Sequence, residues 1–324
     1  MQAQKQFWSV VALWLVASAS SAVAQTVQEV PTGYLDPQRD AAMFERFKNR
    51  MDIKFDQVRP ILEVRDVSHV ASGAALRDRA RGFIQLRGVP SRSSVVRSLL
   101  VWNFSDQERK GSDSAPVLFD GNLVVGKKTA DNTDPCWLRE GNHSYLADVT
   151  DYTNQRGGPN QDYEVILPFT EKTSTAGENP WAATNSPAVL LEGATLIVIY
   201  KNEKTTGALY VFAPPGDNMF SSTATYFLPT PGFGSGLFTM VGADGQRGSG
   251  HDNGASNELT FFDGNQIAGP AVAASDWDGS DGLTLPQLWD THTHQVKLSN
   301  NPSKVDYDVK FDCVVPVAFV LDQE

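Results

Sequence analysis

The stretch Phe119-Asp120-Gly121-Asn122-Leu123-Val124-Val125-Gly126 returns as Phe262-Asp263-Gly264-Asn265-Gln266-Ile267-Ala268-Gly269. Asp-Gly between two apolar runs supplies the positive φ of a two-residue β-hairpin turn. Each copy therefore predicts an incoming strand ending in Phe, a tight turn and an outgoing strand. Three further matches keep the same order. Asp162-Tyr163-Glu164-Val165 is matched by Asp306-Tyr307-Asp308-Val309, and Leu146-Ala147-Asp148 by Leu288-Trp289-Asp290. Asp106-Gln107-Glu108-Arg109 is matched by Asp244-Gly245-Gln246-Arg247. Nearly constant spacing over four matches reads as two copies of one β unit.

Outward from these matches the text stays β-rich from about Gly82 onward. Short runs of β-branched and aromatic residues alternate with Gly, Pro, Asn, Asp and Ser clusters. Expected strands are 82–87, 95–102, 116–119, 162–167, 195–200, 208–213, 236–241, 258–262, 295–298, 307–315 and 318–321. The runs 195–200 and 208–213 read as the arms of one hairpin. Asp36 as N-cap, Pro37 at the first helical position and the spacing of Ala41, Met43, Phe44 and Phe47 predict a helix over 36–53. The expected fold class is mainly β, with two related antiparallel, jelly-roll-like sandwich units behind a short N-terminal helical segment. The divisions are 1–24, 25–81, 82–215 and 216–324, the last being an internal repeat of the one before it.

Residues 1–24 carry Lys5, an apolar run from Phe7 to Ala17 and then Ala22-Val23-Ala24. That is the order of a cleavable secretory signal, so the mature chain is expected to be exported, extracellular or periplasmic, without a transmembrane anchor. The 324 residues are 41% hydrophobic and 20% charged, with 26 Gly and 18 Pro. This excludes a disordered or collagenous chain. There are 27 Lys and Arg against 38 Asp and Glu, a net charge of −11. Such a body repels nucleic acid and anionic membranes and tolerates bound cations. The two cysteines, Cys136 and Cys313, are expected to form one disulfide in an oxidising compartment, stapling the copies together.

Chemistry-bearing residues gather after each Asp-Gly turn. Asp131-Asn132-Thr133-Asp134 and Asp276-Trp277-Asp278-Gly279-Ser280-Asp281-Gly282 read as acidic loops. Asp276, Asp278 and Asp281 offer the alternating hard oxygens that Ca²⁺ takes, although position twelve of the loop is Gln287 where an EF-hand has Glu. Asp290-Thr291-His292-Thr293-His294, on a strand, would turn Asp290, His292 and His294 to one face, an alternative metal set that His251 could complete. Trp137, Trp181 and Trp277, with Tyr145 and Trp289, are candidates for stacking on a sugar ring or for core positions. No Gly-x-Ser-x-Gly elbow is present, and no phosphate loop.

Gly88-Val89-Pro90, the run Val95 to Trp102, Phe119-Asp120-Gly121, Ala147-Asp148-Val149-Thr150 and the run Gly193 to Tyr200 belong together. As a set they resemble the secreted prokaryotic β-sandwich domains of unknown function found in cell-surface and adhesin-like proteins, over about residues 82–320. The resemblance implies an extracellular sandwich and a binding or surface-structural role, and it brings no catalytic residues. The leading expectation is a secreted non-enzymatic module, calcium-stabilised, for glycan or protein partners outside the cell. The alternatives are an exported metal-dependent hydrolase using His292 and His294, and a purely structural surface or matrix protein.

Overall fold

The computed structural model describes residues 52–77, 80–134, 139–155, 157–168, 189–215, 219–220, 222–230, 232–245, 258–272, 275–281, 289–310 and 313–324. The chain is mainly β. The strands are β1 (Asp52–Gln57), β2 (Pro60–Arg65), β3 (Ser68–Ala75), β4 (Arg81–Gln85), β5 (Ser94–Asp106), β6 (Ser114–Phe119), β7 (Asn122–Asp134), β8 (Arg139–Asp148), β9 (Asp162–Ile166) and β10 (Leu190–Lys201). They continue as β11 (Ala208–Phe212), β12 (Met219–Phe220), β13 (Thr223–Leu228), β14 (Gly234–Ala243), β15 (Leu259–Phe262), β16 (Asn265–Ala268), β17 (Trp289–Leu298), β18 (Ser303–Asp308) and β19 (Cys313–Gln323). One helical turn, α1 (Thr150–Thr153), is the only helix among the described residues.

One sheet has eight strands in the order β3-β10-β5-β8-β7-β6-β9-β4. A second has the order β17-β14-β19-β11-β2, with β12 also paired to β19, and a third the order β1-β13-β18-β15-β16. The pairings repeat between the two halves. In the first, β5 lies between β10 and β8, and β6 lies between β7 and β9. In the second, β14 lies between β19 and β17, and β15 lies between β16 and β18. Both Asp-Gly turns have positive φ at both residues, 49° and 80° at Asp120-Gly121 and 48° and 83° at Asp263-Gly264. Phe119 and Phe262 are both buried beside them. One difference separates the halves. β7 is 13 residues long and reaches β8, so the first half stays one curled sheet. β16 has 4 residues and no partner on that side among the described residues, so the second half is two facing sheets.

Not every matched string is equivalent in space. Phe119 pairs with Val165, whereas Phe262 pairs with Val305. The ladder thus aligns Val165 with Val305, four residues before the Val309 that the string match selects. An even slip keeps the inward face inward, so periodicity alone could not detect it. Leu146-Ala147-Asp148 closes β8, but Trp289-Asp290 opens β17.

Three apolar layers hold the strands. The first lies inside the curled sheet, with Trp102, Phe119, Tyr163 and Leu196. A second lies between the two sheets of the second half, with Tyr226, Phe238, Trp277 and Phe319. The third joins the halves, Leu99, Val101, Ile197 and Ile199 meeting Leu209, Val211, Trp289 and Val320. β10 is covered on both faces, which explains its near-continuous apolar run.

This layering corrects several sequence expectations. The runs 195–200 and 208–213 are not a hairpin. β10 pairs with β3 and β5, β11 pairs with β19 and β2, and the chain crosses from one half to the other between them. The strand expected over 307–315 is two strands, with Lys310 at φ 52° after the first. Asp52 and Ile53 lie in β1, which pairs parallel to β13, and not at the end of a helix. β1 and β2 edge the second half's sheets and β3 edges the first, so the N-terminal segment is built into both halves. Residues 1–51, with the signal sequence and the remainder of the helix, lie outside the described residues. Cys136 also does, and with it the disulfide to Cys313.

Candidate metal centre

β17 is the edge strand of its sheet, and its alternating side chains serve two neighbours. On one face Trp289 Nε1 donates to Thr195 Oγ1 at 2.9 Å, and Thr291 Oγ1 lies 2.7 Å from the same atom, fastening β17 to β10. The other face carries Asp290, His292 and His294, which meet the segment 275–281. That segment is anchored by Trp277, which is fully buried in the second core, and packs edge-on to Tyr307 with ring centroids 5.4 Å apart. Its ring lies so close to Gly242 that a Cβ there would stand 2.1 Å from it. Ser275 Oγ caps the bend, accepting from Trp277 N at 3.1 Å and donating to Glu258 Oε2 at 2.8 Å. The acids on either side of this anchor, Asp276 and Asp278, are thereby pressed against β17.

Asp278, Asp290 and His292 each offer one ligand atom within 4.8 Å of the others. His292 Nε2 is 3.4 Å from Asp290 Oδ1 and 3.8 Å from Asp278 Oδ1. Ser280 orients the group, its N–H donating to Asp290 Oδ1 at 3.0 Å and its hydroxyl lying 3.2 Å from His292 Nε2. Asp276 and Asp290 are both fully buried, and each keeps its Oδ2 without a hydrogen-bond partner. Buried carboxylate oxygens cost several kcal/mol unless a cation or donor satisfies them. Burial pushes the Asp290 carboxyl up. Burial likewise pushes Asp281 to about 7, against the hydrogen bond from Thr291. For His292 burial acts downward, and the hydrogen bond and charge of Asp290 outweigh it, so the imidazole is raised.

The two metal sets read from the sequence are thus partly merged and partly separated. Asp278 comes from the acidic loop, and Asp290 and His292 from the Asp-Thr-His string. Asp276 turns to His294, with Oδ1 2.6 Å from Nε2, and Asp281 turns to Thr291. The string 131–134 is not a loop. It is the end of β7, where Asp131 pairs with Lys128 at 2.8 Å and Asp134 is buried. Trp277, Tyr145 and Trp289 are core residues and cannot stack on a ligand. Trp137, Trp181 and His251 lie outside the described residues.

A second constellation was not visible in the sequence because its members are scattered. Arg77, Asp134, Glu192 and Asp244 are all buried. Arg77 Nη2 donates to Glu192 and, across to the second half, to Asp244 at 3.2 Å. Ser105 Oγ donates to Asp134 Oδ2 at 2.6 Å. Three carboxylates here also lie within 4.8 Å of one another, but the guanidinium already supplies the cation. Burial raises Glu192 to about 7, with Arg77 opposing the shift. In the first half's sheet His143 sits between Asp131 at 2.8 Å and Asp106 at 3.1 Å. Burial alone would lower this imidazole, and the two carboxylates raise it.

Both shifts have one consequence for stability. A folded state that holds a proton more tightly than the unfolded chain is favoured at low pH and loses that advantage as pH rises. For Glu192 the loss runs from its ordinary value of 4.5 to about 7. For His143 it begins above the ordinary 6.5. Thermal melts of the chelator-treated protein should therefore fall between pH 5 and pH 8, and Glu192→Gln should flatten the lower part of that slope. An identical slope in wild type and Glu192→Gln would reject the role given to this carboxyl.

No family model and no curated protein matches the chain. Among solved structures, a chain of the Sputnik virophage structure determined by cryo-EM at 3.5 Å is 7% identical, over 79% of this chain and 85% of that one, with a TM-score of 0.20. The structure of PNGF-II in a P21 space group is 14% identical over 85% of this chain, with a TM-score of 0.25, and this chain spans 59% of that one.

Proposed function

We propose that the protein is an exported, non-enzymatic binding or surface-associated module, with partners of protein or glycan class, stabilised by a divalent cation held at Asp278, Asp290 and His292. The observation that carries the cation is the convergence of two buried carboxylates and an imidazole; the second oxygen of Asp290, Oδ2, is buried without a hydrogen-bond partner. The ion would tie the segment 275–281 to β17, and β17 is itself fastened to the first half through Thr195. Its role is therefore mechanical, a bolt near the joint between the two halves. Export supports a disulfide between Cys136 and Cys313. We read the repeated pairings as a duplicated unit.

A metal-dependent hydrolase is the second reading. It is favoured by the number of protein donors, since three leave a coordination position open as catalytic zinc sites do. Hydrolysis of a simple ester by the metal-loaded protein, lost in Asp290→Asn, would favour it over the binding module.

The test of the cation is direct. A ligand bound only by the folded state stabilises it by about 2.7 kcal/mol at one hundred times its dissociation constant. The purified protein should carry close to one equivalent of a divalent metal by elemental analysis. EDTA should remove it and lower the melting temperature, and Asp290→Asn should abolish the EDTA effect. A melting temperature unmoved by EDTA, in a protein without bound metal, would reject the site.

A further inference from the structure

The donor atoms also choose between classes of metal. We infer that the site takes a zinc-class transition-metal dication and not calcium, an inference that rests on the proposed cation site. Calcium requires six to eight oxygen ligands and gains little from nitrogen. Here one of the three converging donors is an imidazole nitrogen: His292 Nε2 lies 3.4 Å from Asp290 Oδ1 and 3.8 Å from Asp278 Oδ1. Tetrahedral bonds of about 2.0–2.1 Å place neighbouring ligands about 3.3–3.4 Å apart, a spacing close to the 3.4 and 3.8 Å from His292 Nε2 to the two carboxylates.

Two of the neighbouring carboxylates turn away from the three converging donors. Asp276 is engaged by His294 at 2.6 Å, and the Asp281 carboxylate by Thr291. Ser280 N–H already fills one lone pair of Asp290, fixing its carboxylate in the manner of the outer-shell groups that orient metal ligands. The His292 side chain keeps 23% of its surface exposed, so the remaining ligand of a tetrahedral site can be water entering from the imidazole side. Imidazole with carboxylate is a donor set that suits zinc, iron and manganese, with zinc preferred for four-coordination.

The experiment uses the whole mature chain, stripped with EDTA and dialysed. Zn²⁺ and Ca²⁺ are titrated separately while the melting temperature is followed. Co²⁺ is added as a spectroscopic stand-in for Zn²⁺. Zn²⁺ should raise the melting temperature at micromolar concentration, while Ca²⁺ should need at least a hundredfold more. Co²⁺ should give the intense visible absorption of a tetrahedral, nitrogen-bearing site. His292→Gln should weaken Zn²⁺ binding at least tenfold and abolish that absorption. If His292→Gln does not fold, the wild-type Co²⁺ spectrum decides alone. A Ca²⁺ response at or below the Zn²⁺ concentration, or a Co²⁺ spectrum of weak octahedral type, overturns the zinc-class assignment but leaves the cation site standing. No response to any of the three ions overturns both.

Discussion

Arg77→Ala is expected to lower stability by about 3–5 kcal/mol, because it removes one partner of a buried ion cluster and leaves the others charged in a low-dielectric site. Arg77 and Glu192 have no exposed side-chain surface, nor does Asp244, so water cannot take the guanidinium's place. Arg77 also joins the halves. It leaves β3, binds Glu192 of β10 and reaches Asp244 at the end of β14. The loss should therefore appear as one lowered unfolding transition, since neither half keeps its side of the joint. Urea or thermal unfolding measures it. The triple change Arg77→Met, Glu192→Gln, Asp244→Asn should recover most of the loss, because it removes the charges as well as their partner. A drop of under about 1 kcal/mol for Arg77→Ala would mean that the cluster relaxes or hydrates, and that the joint does not depend on it.

Trp277→Ala should rank beside it. Truncating a fully buried tryptophan costs about 3–5 kcal/mol through lost transfer energy and the cavity left behind. Here the effect divides in two. The ring plugs the second core against Gly242 and Tyr307, and its backbone holds Asp276 and Asp278 against β17. Metal affinity should fall with stability, although Trp277 supplies no ligand. Asp290→Asn gives the contrast, losing the metal with little effect on the metal-free protein. The two variants are compared by the melting temperature with EDTA and the shift on adding metal. If Trp277→Ala kept full metal affinity, the segment 275–281 would be held by contacts other than this ring.

The turn chemistry was legible from single residues. Asp-Gly needs positive φ at two positions, and Asp120-Gly121 and Asp263-Gly264 both have it. Alternation and β-rich composition made most strands visible, but β7 and β8 were obscured by buried polar residues. Asp134, Asn142, His143 and Ser144 are buried there and hydrogen-bonded to their neighbours, as in the 2.9 Å bond from Asn142 to Ser105. Burial paired with hydrogen bonding looks like a polar loop when only polarity is read. The register of β18 was missed for another reason, since a slip of four residues changes the ladder and leaves the hydrophobic pattern intact.

Local chemistry by itself determined the fold class, the two tight turns and the pool of acidic and histidine residues from which the site is drawn. These depend on φ preferences, side-chain period and residue type, all of which act over a few positions. Which strands cross from one half to the other, which carboxylates converge and which tryptophan is an anchor were decided only by the tertiary structure. Asp278 meets Asp290 and His292 because Trp277 is driven into a core made by β13, β14, β18 and β19. Asp276 is diverted to His294 by the same insertion. Arg77 finds Asp244 only because an apolar layer presses two sheets together. Packing couples residues more than a hundred positions apart, and no local pattern carries that information.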